Sequence, residues 1–172
     1  MKLIIILALF LAGCSSGGGG SDAPKQQSII FYGDSIGRQL EESNHSLPFI
    51  FDTEPGRKIT DLVFTPMSGR KKTVIDYSYD RVYIELGTND IDMAAAELHL
   101  IQLLEGYKHK ITCVLPMTRK NRMELPFRPI MQKHCINIID PLQDGVYPLD
   151  SDNIHLWGAD NIKHYESIFS SK

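Results

Sequence analysis

Short, largely apolar runs separated by stretches with helical patterning constrain the fold of this chain more than any single motif. The runs are Ser28 to Tyr32, Arg81 to Leu86, Lys110 to Leu115 and Ile136 to Ile139, with a weaker fifth at Pro48 to Phe51. Continuous rather than alternating apolarity marks strands covered on both faces. Between them, Leu98, Ile101 and Leu104 recur at helical spacing within Ile91 to Gly106, and Ile162, Tyr165, Ile168 and Phe169 do so within Ala159 to Ser170. This alternation predicts an α/β fold: a parallel sheet of about five strands, helices on both faces, right-handed connections. At 172 residues, 42% apolar and 23% charged, the chain suits one domain with a real core.

Open parallel sheets carry their sites beyond the carboxyl ends of the strands. Three motifs fall there. GDSIG (Gly33 to Gly37) follows the first strand, PGRKITDL (from Pro55) the second, and GTND (Gly87 to Asp90) the strand ending at Leu86. A fourth, DNIH (Asp152 to His155), precedes the last helix.

Together these motifs hold the residues of an acyl-enzyme hydrolase. Ser35 sits at a strand-to-helix turn, where it reads either as a helix N-cap or as a nucleophile. A serine hydroxyl needs a base, and His155 is the best candidate, with Asp152 able to fix its tautomer. A capping or packed histidine is the other reading of His155. Asn89 could aim its amide at a developing oxyanion, and Gly56 could offer a backbone amide; both residue types are also common in turns. A metal site at Asp150, Asp152 and His155 lacks a second histidine or a cysteine cluster to complete it. Glu85, inside a predicted strand, and Trp157 have no role in this scheme.

GDSIG also fits the GxSxG elbow of α/β-hydrolases. That fold needs several strands before its serine, whereas one strand precedes Ser35 here. The four blocks instead resemble, in order from Ser28 onward, those of the SGNH hydrolases, or GDSL-type esterases and lipases. Ile36 stands where leucine is common, GTND matches fully, and DNIHLWGAD keeps DxxH. The second block is present only as Gly56 within EPGRKITDL. The resemblance implies a three-layer, flavodoxin-like α/β/α sandwich over residues 28–172. It implies Ser35 as nucleophile, His155 as base and Asp152 as its partner. The amides of Ser35 and Gly56 with Asn89 would form the oxyanion hole, and neither a cofactor nor a metal is required.

The amino terminus reads as a separate segment. Met1 and Lys2 precede an apolar run from Leu3 to Ala12, a signal-peptide pattern too short to span a bilayer. Leu11, Ala12, Gly13 and Cys14 resemble a bacterial lipobox, which implies a signal peptide over 1–13 and lipid on Cys14. Residues 15–27 (SSGGGGSDAPKQQ) lack large apolar groups and predict a flexible tether with a reach of about 20 Å. The chain carries 18 basic against 21 acidic residues, net −3, and loss of the signal makes it one unit more negative. It is no polybasic binder of nucleic acid or anionic lipid. Cys113 and Cys135 sit in or beside apolar runs, which favours buried thiols, although an envelope location permits a disulfide.

The function expected is that of a serine esterase held by lipid in the bacterial envelope, at the outer membrane or the outer face of the cytoplasmic membrane. Short connecting segments suit small acyl groups on a bulky polar carrier, such as an O-acetylated polysaccharide. A lysophospholipase or thioesterase, an acyltransferase, and a noncatalytic binding lipoprotein are the alternatives.

Overall fold

A computed structural model describes residues 27–43, 46–64, 72–117, 126–143, 155–156 and 158–170. The elements run β1 (Ile29–Gly33), α1 (Ser35–Glu42), β2 (Phe49–Thr53), a 3₁₀ turn (Ile59–Asp61), β3 (Leu62–Val63), β4 (Thr73–Val74) and β5 (Arg81–Glu85). They continue with α2 (Met93–Leu104), β6 (Ile111–Val114), α3 (Phe127–His134), β7 (Asn137–Ile139) and α4 (Gly158–Ser170).

Five strands form one parallel sheet in the order β2-β1-β5-β6-β7, and the short β3 and β4 pair apart from it. The order reverses between β1 and β5, so the crevice favoured for ligands opens at their carboxyl ends. Register brings the motifs abreast there, because Gly33 pairs with both Thr53 and Glu85.

The strands are apolar on both faces because each face has its own helical layer. On one, Phe31, Tyr83, Val114 and Ile139 pack against Ile36 and Leu40 of α1 and Tyr165, Ile168 and Phe169 of α4. On the other, Ile30, Val82, Ile84 and Ile111 pack against Ala96, Leu100, Leu103 and Leu104 of α2 and Phe127 and Met131 of α3. The result is the three-layer α/β/α sandwich expected.

Two expectations need correction. The spacing of Leu98, Ile101 and Leu104 suggests a buried face, yet Leu98 is 59% and Ile101 40% exposed. Small Ala96 lets α2 turn its Leu100 and Leu103 edge to the sheet instead, with Leu104 shared by both patterns. Cys113 and Cys135 are not separate thiols: a disulfide joins β6 to the end of α3. Apolar surroundings alone do not separate a buried thiol from a buried bridge, since both exclude water.

Candidate active site

Ser35 is the first residue of α1, and it is not the cap. That task falls to Asp34, whose side chain accepts the Ile36 amide at 2.9 Å. The capping reading of Ser35 is thereby removed, since its neighbour already occupies the N-cap position. The helix opens against the sheet at van der Waals range. A Cβ on Gly37 would lie 2.8 Å from Phe31 Cε1 and 3.2 Å from Glu85 Oε2, so only glycine allows this approach.

Ser35 lines an open cleft of about 730 Å³ with Arg38, Gln39, Glu42, Pro55 and His155. Both Ser35 and His155 are half-buried. The segment carrying His155 is tied to α1 directly, because the Leu156 amide donates to Gln39 Oε1 at 2.9 Å. The rim is polar: Arg38 pairs with Glu42 at 2.6 Å and with Glu41 at 3.4 Å along the helix.

Of the other histidines, His99 bonds the Leu62 carbonyl, His134 meets Glu97 at 2.7 Å, and His109 and His164 are exposed. His45 lies outside the described residues, as do Asp152, Asp150, Trp157, Cys14 and the signal and tether up to residue 26. Of the proposed catalytic residues, the structure thus brings Ser35 and His155 to one cleft.

Gly56 occupies the exposed turn after Pro55, at φ +80°, a conformation that favours glycine. A side chain there would meet nothing within 4 Å, so backbone conformation rather than lack of space calls for glycine. Asn89 is turned inward. Its Nδ2 donates to Asp34 Oδ2 at 3.0 Å and to the Arg57 carbonyl at 3.2 Å, linking the third block to the first and second. Arg57 in turn holds the second block down: its buried guanidinium donates to the Asp52 carboxylate at 2.7 Å and to Thr73 Oγ1 at 3.1 Å.

Two carboxyl groups lie beneath the serine, and the sequence reading assigns neither. Asp34 is 0% and Glu85 1% exposed. Burial pushes Asp34 up to about 6, against the pull of the Ile36 amide and His155, and pushes Glu85 well above the usual range. A carboxylate amid an apolar strand is the available signal for Glu85; Asp34 stands beside Ser35 in GDSIG and has no pattern of its own.

No family model matches the chain, and no curated protein is similar to it. Among solved structures, it is similar to the psychrotrophic esterase EstA from Pseudoalteromonas sp., inhibited by monoethylphosphonate. The TM-score is 0.49 and the identity 10%, over 84% of this chain and 97% of that one.

A second hollow, about 420 Å³, lies at the opposite end of the sheet, lined by Arg81, Tyr83, His109, Thr112 and Asn137 among others. None of the described residues of the four blocks lines it. Among the described residues, no group of three or more histidine, cysteine, aspartate or glutamate side chains is arranged to hold a metal ion.

Proposed function

We propose that this chain is a serine esterase of the SGNH type that acts through an acyl-enzyme. One observation carries the reading: Ser35, relieved of capping by Asp34, shares an open cleft with His155 at the switch point of the sheet. Ser35 Oγ attacks the ester carbonyl while its proton passes to His155. Collapse of the tetrahedral adduct breaks the bond to the alcohol, which leaves with that proton. Water then adds to the acyl-enzyme, gives a proton to His155, and the second collapse returns the proton to Ser35 and frees the carboxylic acid. Asp152, three residues before His155, is the proposed orienting partner of the imidazole.

The oxyanion is met by the Ser35 amide, a donor of the first helical turn that has no carbonyl partner within the helix, by the Gly56 amide, and by Asn89. Asn89 serves by turning one Nδ2 proton from the Arg57 carbonyl to the oxyanion. The cleft is open and its rim polar, which favours a small acyl group on a polar carrier, an O-acetylated carbohydrate above all. Lipid on Cys14 and the tether would hold the domain at an envelope membrane, near such polymers.

Hydrolysis of an ester panel from acetyl to octanoyl, run beside acetylated polysaccharide, tests the reading. Acetyl release should be fastest and absent in Ser35→Ala. Absence of turnover on every ester would overturn it, and product on an added sugar exceeding free acid would reassign the enzyme to acyl transfer. Palmitate incorporation that survives Cys14→Ser would refute the anchor.

A further inference from the structure

The acyl-transfer steps leave the buried pair Asp34 and Glu85 unused, although both touch the turn that carries Ser35. Glu85 ends β5 opposite Gly33. Its Oε2 accepts the Gly37 amide at 3.1 Å and the Asp34 amide at 3.4 Å, one on each side of the serine. Asp34 uses Oδ1 for the Ile36 amide and Oδ2 for Asn89 Nδ2. The two carboxyl groups are also within hydrogen-bonding reach of each other.

Two ionised carboxylates in contact, both out of water, repel at low dielectric, so such a pair keeps one proton between them. The surrounding groups decide where it sits. Asp34 receives two N–H donors and the field of His155, all of which favour its anion. Around Glu85 stand Asp34 itself and the buried Tyr165 hydroxyl of α4, neither of them a cation. The nearby Arg57 guanidinium donates to the Gly33 carbonyl at 3.4 Å but is committed to the Asp52 carboxylate. The proton therefore belongs on Glu85, on the oxygen that the amides do not use.

We propose that Glu85 is a positioning residue for the nucleophile: a neutral carboxylic acid that accepts the amides flanking Ser35 through Oε2 and donates its own hydrogen to the Asp34 carboxylate. The arrangement fixes the Ser35 amide and Oγ while keeping a single negative charge under the cleft. Its catalytic meaning rests on the esterase reading above; the protonation of Glu85 does not. Raising the pH far enough to remove the proton would place two charges in the buried site, loosen the first turn of α1, and lower kcat.

Glu85→Gln and Glu85→Ala test this. Glutamine can accept the same amides through its oxygen and donate to Asp34 through its nitrogen, with no proton to lose. It should keep kcat within about threefold of wild type and abolish the alkaline fall. Alanine should lower kcat at least about tenfold with little change in KM, in line with the sensitivity of such reactions to small misplacements. Glutamine as damaging as alanine, or an alkaline limb unchanged by glutamine, would overturn the proposal.

Infrared spectroscopy gives a readout without turnover. The carbonyl band of a protonated carboxylic acid should be present in the wild-type protein at neutral pH and missing in Glu85→Gln. Absence of the band overturns the role of Glu85 whatever Ser35 does. The band together with a Ser35 that fails to react would overturn the esterase reading while upholding the neutral acid.

Discussion

The Leu156 amide donates to Gln39 Oε1 at 2.9 Å across 117 residues of sequence, and this bond ties the proposed base to the proposed nucleophile. Gln39 is on the helix that begins at Ser35, and Leu156 follows His155. Their separation in the cleft is therefore set by one side-chain-to-backbone bond as well as by the packing of α4 on α1.

Gln39→Ala should therefore lower kcat by about ten- to a hundredfold, because a displacement of roughly an ångström between reacting groups costs that much. Steady-state hydrolysis of an acetyl ester, with circular dichroism to show an intact fold, checks it. A wild-type kcat would show that α4 packing alone places His155.

Stability should depend on pH through the buried acids. Asp34 is raised from 3.8 to about 6, chiefly by burial, so the folded chain retains a proton that the unfolded chain has already released over that interval. Its contribution is complete below the unfolded value and is lost as pH rises through about 6, a fall on the order of 3 kcal/mol. Urea titrations from pH 4 to 8 on wild type and Asp34→Asn should differ by this slope; asparagine still caps the helix. Parallel curves would show that Asp34 ionises normally.

Arg128 and Asp140 form a buried ion pair at 2.6 Å, and Arg128 also donates to the Pro116 carbonyl at 2.9 Å. Arg128→Ala should destabilise the fold by about 3 to 5 kcal/mol, since it strands a buried carboxylate. Denaturant unfolding measures this, and a loss under 1 kcal/mol would mean that water reaches Asp140.

The bridge between Cys113 and Cys135 closes a 22-residue separation, and in the chain-entropy account such a loop is worth about 3 kcal/mol. Replacing both by serine should lower the melting temperature and leave esterase kinetics close to wild type, because the bridge lies in the α2 and α3 layer while Ser35 opens α1 on the other face. Thiol titration of the unfolded, unreduced protein should find neither cysteine reactive.

The strands of the sheet are legible in the sequence because strands covered on both faces must be continuously apolar, and Ile29 to Tyr32 or Val82 to Ile84 admit little else. Helix α1 is harder to read: its buried side is only Ile36, Gly37 and Leu40 within eight residues, and the rest is polar. Helix α3 buries Arg128 beside Phe127 and Met131, so its pattern lacks a clean apolar stripe.

At the site, sequence order supplies Ser35 and His155 but not what holds them. Gln39 is an ordinary exposed-type residue on a helix, and its bond to Leu156 follows from tertiary structure alone. Asn89 reads as a donor to the substrate; that its Nδ2 also bonds Asp34 and the Arg57 carbonyl comes from tertiary structure alone. Glu85 is conspicuous in a strand, yet its purpose emerges only when register sets it under the turn at Gly33.

Reaction with a fluorophosphonate, followed by mass spectrometry of the digested protein, tests the central claim most directly. The account predicts one phosphonyl adduct per chain, on the peptide containing Ser35, and none in Ser35→Ala. A wild-type protein that stays unmodified, or an adduct that persists at equal yield in Ser35→Ala, would contradict it.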